Sequence, residues 1–132
     1  MIRSLLTIAF LLLASCAISP QEEILVISRA FTTVDAEQKI ILSKNRSFEI
    51  KLPSNPDTGY DWVLKIDNPD VVFNESRRYR RDHSGRKGLG GETTWSLRTG
   101  MTGDAVLTYS YQNEINERLL TSQTMVFIIG VR

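Results

Sequence analysis

From residue 24 onward the chain alternates apolar and polar side chains with a period of two, and helical periodicity is scarcely visible. In Ser47-Phe48-Glu49-Ile50-Lys51-Leu52 the apolar members Phe48, Ile50 and Leu52 share one face. Trp95 and Leu97 alternate with Thr94, Ser96 and Arg98, while Ala105, Leu107, Tyr109 and Tyr111 point opposite Val106, Thr108 and Ser110. Successive side chains of a strand project to opposite faces, so each run can seat one face on a core and leave the other in water. Eight strands are expected, over residues 24–31, 39–42, 47–52, 61–66, 71–74, 93–98, 105–111 and 124–131. Turn-forming clusters separate them: Lys44-Asn45, Pro53-Ser54-Asn55-Pro56, Asn68-Pro69-Asp70, the glycine-rich stretch 85–91, and Gly100-Met101-Thr102-Gly103. The pattern predicts one all-β domain over residues 24–132, a two-sheet sandwich or a small barrel.

The first residues follow a different rule. Arg3 supplies a positive start, Leu5 to Leu13 form a short apolar run, and small residues follow at Ala14-Ser15. This is the layout of an export signal, and the run is shorter than the roughly 20 apolar residues that span a bilayer. Leu13-Ala14-Ser15-Cys16 is similar to a bacterial lipobox, with residues 1–15 as the signal peptide and Cys16 as the lipidated first residue of the mature chain. Plain cleavage with Cys16 left as a free thiol is the other reading. Residues 16–23 read as a tether. With Ala17 rather than an aspartate after the cysteine, the outer membrane is the expected destination in a two-membrane host. The chain is thus expected to be exported and lipid-anchored in a cell envelope.

Composition argues against catalysis. The chain has one cysteine and one histidine, His83, so no disulfide forms within it and no zinc site of several Cys or His ligands can be assembled. No serine lies in a strand–turn–helix elbow. The run Gly85-Arg86-Lys87-Gly88-Leu89-Gly90-Gly91 lacks the residue order of a phosphate-binding loop and reads as a strand connection. No enzyme activity, cofactor or metal is expected. The formal net charge of +1 falls to zero once Arg3 leaves with the signal, so nothing global steers the chain toward nucleic acid.

Two local features remain. Arg77, Arg78, Arg80, Arg81, Arg86 and Lys87 form a basic cluster, read first as an edge strand guarded by charge, and second as a contact for an anionic partner. Asn55-Pro56-Asp57-Thr58-Gly59-Tyr60 reads as a stiff turn, with Pro56 fixing φ and Gly59 admitting positive φ. A stiff exposed turn also loses little entropy on docking.

Residues 55–60 resemble the Asn-Pro-Thr-Thr-Gly-Tyr/Phe motif of chagasin-type inhibitors of cysteine peptidases. Gly88-Leu89-Gly90-Gly91 is similar to the Gly-x-Gly-Gly loop of that family and is followed, as there, by an aromatic strand residue, Trp95. The resemblance implies an immunoglobulin-like β-sandwich of seven to eight strands. It also implies three loops at one end that enter the cleft of a papain-like cysteine peptidase and block it reversibly. The residues implied to bind the peptidase are Asn55, Pro56, Asp57, Thr58, Gly59, Tyr60, Gly88, Leu89, Gly90, Gly91 and Tyr111. Two positions depart from the family pattern. Asp57 replaces a threonine, and is expected either to meet the target's thiolate–imidazolium pair or to cap its own turn. The Arg-Pro-Trp/Phe motif is absent after Tyr109, where Tyr111, Gln112 and Asn113 stand instead, with Tyr111 as a substitute ring. The competing expectation is a non-inhibitory envelope lipoprotein that uses the same loops, or the arginine-rich segment, for another ligand.

Overall fold

In a computed structural model that describes residues 29–84, 89–115 and 118–132, the alternating runs resolve into seven strands. These are β1 (Lys39–Leu42), β2 (Ser47–Ser54), β3 (Asp61–Ile66), β4 (Val72–Arg81), β5 (Gly91–Thr99), β6 (Gly103–Ile115) and β7 (Arg118–Val131). They form two sheets, one ordered β2-β5-β4 and the other β1-β7-β6-β3. All neighbours are antiparallel except β1 and β7, which run parallel. The architecture is the expected immunoglobulin-like sandwich.

The apolar sets read from the sequence face one another across the two sheets. Phe48, Ile50 and Leu52 of β2 and Trp95 and Leu97 of β5 meet Leu107 and Tyr109 of β6 and Phe127, Ile129 and Val131 of β7, all buried. Trp95 and Tyr109 pack edge to face with centroids 4.7 Å apart, and Phe127 closes on Tyr109 at 5.7 Å. Burying each such side chain is worth about 1.5–3 kcal/mol, so this layer is the main source of stability. The Tyr109 hydroxyl has no hydrogen-bond partner among the described residues, and burial pushes its pKa upward.

Strands β1 and β3 occupy the positions expected, but β4, β6 and β7 run further than the apolar pattern predicts. The expected strand 71–74 continues to Arg81, which makes the arginine run the edge of the three-stranded sheet. Strands β6 and β7 continue past the core as a two-stranded ribbon. Strand β3 reaches along β6 only to Gln112, and β1 reaches along β7 only to Ile128. On β7 the side chains from Arg118 to Thr124 are exposed, so no apolar alternation marks them. Of the expected first strand, residues 24–28 lie outside the described residues, and Phe31 makes a single parallel bridge to Ile50.

Because consecutive strands reverse direction, alternate connections fall at opposite poles. At one pole the buried Thr99 hydroxyl donates to the Ser43 carbonyl at 2.6 Å and accepts from the Arg46 amide at 2.8 Å, tying the β1–β2 turn to β5. The Met101 amide donates to Asp70 O at 2.9 Å, which joins the β5–β6 turn to the β3–β4 turn. The strand ends that flank the β2–β3, β4–β5 and β6–β7 connections lie at the other pole.

Candidate functional site

The β2–β3 connection is a single 3-10 turn, Pro56–Thr58, between two specified ends. Pro56 opens it with its φ already set. Gly59 closes it at φ 82°, where a side chain would be strained, and donates its N–H to Pro56 O at 2.9 Å. The Thr58 amide and hydroxyl both donate to Asn55 O, at 3.1 and 2.6 Å. Pro56, Asp57, Thr58 and Gly59 are exposed, whereas Asn55 and Tyr60 are half-buried. Four residues therefore stand out on a turn whose bonds are internal.

The β4–β5 connection touches this turn. Gly90 is buried at φ 65°, and a methyl group built on it would collide with Ser54 O and lie 2.8 Å from Asn55 Cβ. Gly91 has no such freedom to grow either, because an added carbon would strike the Arg80 carbonyl. Gly90 lets the second connection lie directly against the first, and Gly91 lets β5 start close against the end of β4. Leu89, beside them, is 53% exposed. Gly88 lies outside the described residues.

The β6–β7 ribbon completes the pole. The Asn113 side chain amide would lie 3.1 Å from a methyl group on Gly59, and Asn113 pairs across the ribbon with Leu120. Leu119 and Leu120 are 63% and 40% exposed at the end of β7. Tyr111 is placed differently from an exposed anchor. Its hydroxyl accepts from the Asn55 amide at 2.9 Å and donates to Asn55 O at 3.3 Å. Its ring stacks on Tyr60 at 5.4 Å and meets Trp62 at 4.7 Å. Tyr111 thus props the first turn from beneath.

The arginine run divides by side. Arg77 pairs in register with Trp95 and Arg81 with Gly91, while Arg78 and Arg80 stand opposite Thr94 and Glu92 on the alternate face. Arg77 donates to Asp61 at the start of β3, and its guanidinium lies 5.5 Å from the Trp95 ring centroid. Since β3 and β4 are edges of different sheets, this pair crosses between the layers. Arg81 reaches the turn itself, 3.2 Å from Asp57 Oδ1. The carboxylate of Asp57 is therefore turned toward β4, and the bonds that close its own turn come from Thr58 and Gly59.

Sequence reasoning missed Leu119, Leu120 and the tie from Arg81 to Asp57. Two adjacent leucines break the alternation expected of a strand, which was the available signal for the first two. Among the described residues no cluster of three or more His, Cys, Asp or Glu could hold a metal ion.

Residues 41–129 match the family model of the Chagasin family peptidase inhibitors. This chain belongs to that family. Chagasin-family members are peptidase inhibitors rather than enzymes. Among similar solved structures is the cysteine protease inhibitor EhICP2 from Entamoeba histolytica, with 15% identity, TM-score 0.65, and coverage of 79% of this chain and 94% of that one. Amebosin is 24% identical with TM-score 0.60, covering 78% and 96%. PbICP-C, solved in complex with falcipain-2, is 19% identical with TM-score 0.52, covering 79% and 90%. At such identities these likenesses speak for the chagasin-family fold alone. No curated protein matches the chain.

Proposed function

We propose that the chain reversibly inhibits papain-like cysteine peptidases by filling the active-site cleft with the pole formed by residues 55–60, the glycine-rich connection and the end of the β6–β7 ribbon. The observation that carries this reading is the close approach of Gly90 to Ser54 and Asn55, which sets the described end of the glycine-rich connection beside the first turn in a member of a peptidase-inhibitor family. One similar structure, PbICP-C, was solved in complex with falcipain-2.

Cleft occupation needs no nucleophile. The turn at Pro56–Thr58 is bonded internally, so little conformational entropy remains to be lost on docking. Thr58 and Gly59 are the residues best placed to stand over the target's cysteine. Leu89 on one flank and Leu119 and Leu120 on the other supply apolar contacts for the two cleft walls, in place of an Arg-Pro-Trp anchor. Tyr111 acts as a positioning residue through its two bonds to Asn55.

Titration of papain and a cathepsin L-like enzyme with the purified protein tests the proposal. Stoichiometric loss of activity that weakens when residues 55–60 are replaced is the expected result. Full activity at micromolar protein would overturn it and leave the same loops to another ligand.

For location, we propose a lipid anchor at Cys16, supported by Leu13-Ala14-Ser15-Cys16 after the apolar leader. Labelled fatty acid should be incorporated by the wild type and not by Cys16→Ser; equal labelling would reject the anchor.

A further inference from the structure

The inhibitory reading leaves one residue unexplained. Asp57 sits on the tip that enters the cleft, its side chain 52% exposed, and docking strips water from it. A desolvated carboxylate without a partner opposes binding. It opposes binding more strongly when the groove floor carries a thiolate, the nucleophilic form of a catalytic cysteine.

The partner is supplied by the second connection. Arg81 is the last residue of β4 and pairs with Gly91, whose missing side chain admits the Arg80 carbonyl and leaves an added carbon only 2.8 Å from Arg81 Cα. The next residue, Asp82, donates its amide to Gly90 O at 3.0 Å. The backbone of Arg81 is therefore fixed to the glycine-rich tip, while its Nη2 lies 3.2 Å from Asp57 Oδ1 on the other tip.

Resting on the inhibitory reading, we infer that Arg81 is a positioning residue for inhibition: it neutralises Asp57 and holds the carboxylate toward β4, so that the tip offers Thr58 and Gly59, and no bare anion, to the cleft. Two of the four described arginines of the basic cluster are thereby accounted for from within the molecule. Arg81 and Arg77 tie down the first turn and β3, and Arg78 and Arg80 make no ion pair among the described residues.

Four proteins test the inference: wild type, Arg81→Ala, Asp57→Asn, and the double variant, each measured for inhibition of papain. Their unfolding midpoints serve as a check that all are folded. Arg81→Ala leaves an unpaired charge to be desolvated and should raise the inhibition constant about tenfold or more. Asp57→Asn in that background removes the charge and should return inhibition to within about threefold of wild type, a rescue no loss of loop support would give. If the double variant stays as weak as Arg81→Ala, or Arg81→Ala is as potent as wild type, the inference fails while the inhibitory reading stands. If the wild type has no effect on papain, both fail together.

Discussion

Gly90 shows how one residue decides the geometry of a whole pole. Its φ of 65° and its contact with Ser54 and Asn55 both exclude a side chain. A non-glycine residue in the left-handed region costs roughly 1–3 kcal/mol when the surroundings enforce it. Gly90→Ala should therefore lower the unfolding free energy by about that amount in urea titrations and weaken papain inhibition, because relief of the collision moves the second tip off the first. Tyr111 works from the other side of the same turn. Tyr111→Phe keeps the ring stack on Tyr60 and Trp62 but removes both bonds to Asn55. The expected loss is about 1 kcal/mol of stability, read in the same titration. A variant as stable as wild type would show that the ring alone holds the turn.

At the scale of elements, the two long edges of the molecule are guarded differently. Strand β4 carries four arginines and a register shift between Asn74 and Ser76, both of which discourage pairing with another chain. The outer part of β7, from Leu119 to Thr124, is uncharged, and β1 covers only Ile128 to Val131. Its register shift near Tyr111 places Ser122 as the extra residue of a bulge. An exposed leucine pair on such a ribbon adds nothing to the core. Replacing Leu119 and Leu120 together with serine should leave the unfolding free energy within roughly 0.5 kcal/mol of wild type. The same change should raise the papain inhibition constant about a hundredfold, since each leucine loses an apolar contact worth about 1.5 kcal/mol and every 1.4 kcal/mol is about tenfold. A large loss of stability, or unchanged inhibition, would place these leucines outside the peptidase contact.

For the molecule as a whole, acid response follows from two carboxylates. A hydrogen bond from Arg29, reinforced by the Thr32 amide, holds Asp35 below the usual carboxylate range against the opposing effect of its burial. Asp104 is lowered first by Lys39 and then by Arg132, which joins β1, β6 and the C-terminal residue. A folded-state pKa below the unfolded value of 3.8 means stability present above about pH 4 and lost as pH falls through the folded value. Urea midpoints should be flat from pH 7 to pH 5 and drop below about pH 4. Asp35→Asn should be less stable at neutral pH and lose less on acidification; an equal acid loss in wild type and variant would assign the effect elsewhere.

Period-two alternation was enough to determine an all-β domain, most strand positions and the residues that face the core, because burial of one sheet face is a local demand written into every strand. The choice of an immunoglobulin-like sandwich over a barrel came from the motif resemblance. The composition of the turn at Pro56–Thr58 was legible for the same reason, since proline and glycine act on their own φ angles. The chain order could not show that Gly90 lies on Asn55, that the Tyr111 hydroxyl bonds to Asn55, or that Arg81 meets Asp57. Those contacts join residues on different strands or sheets, and they exist only after the core has fixed the register that brings three connections to one pole.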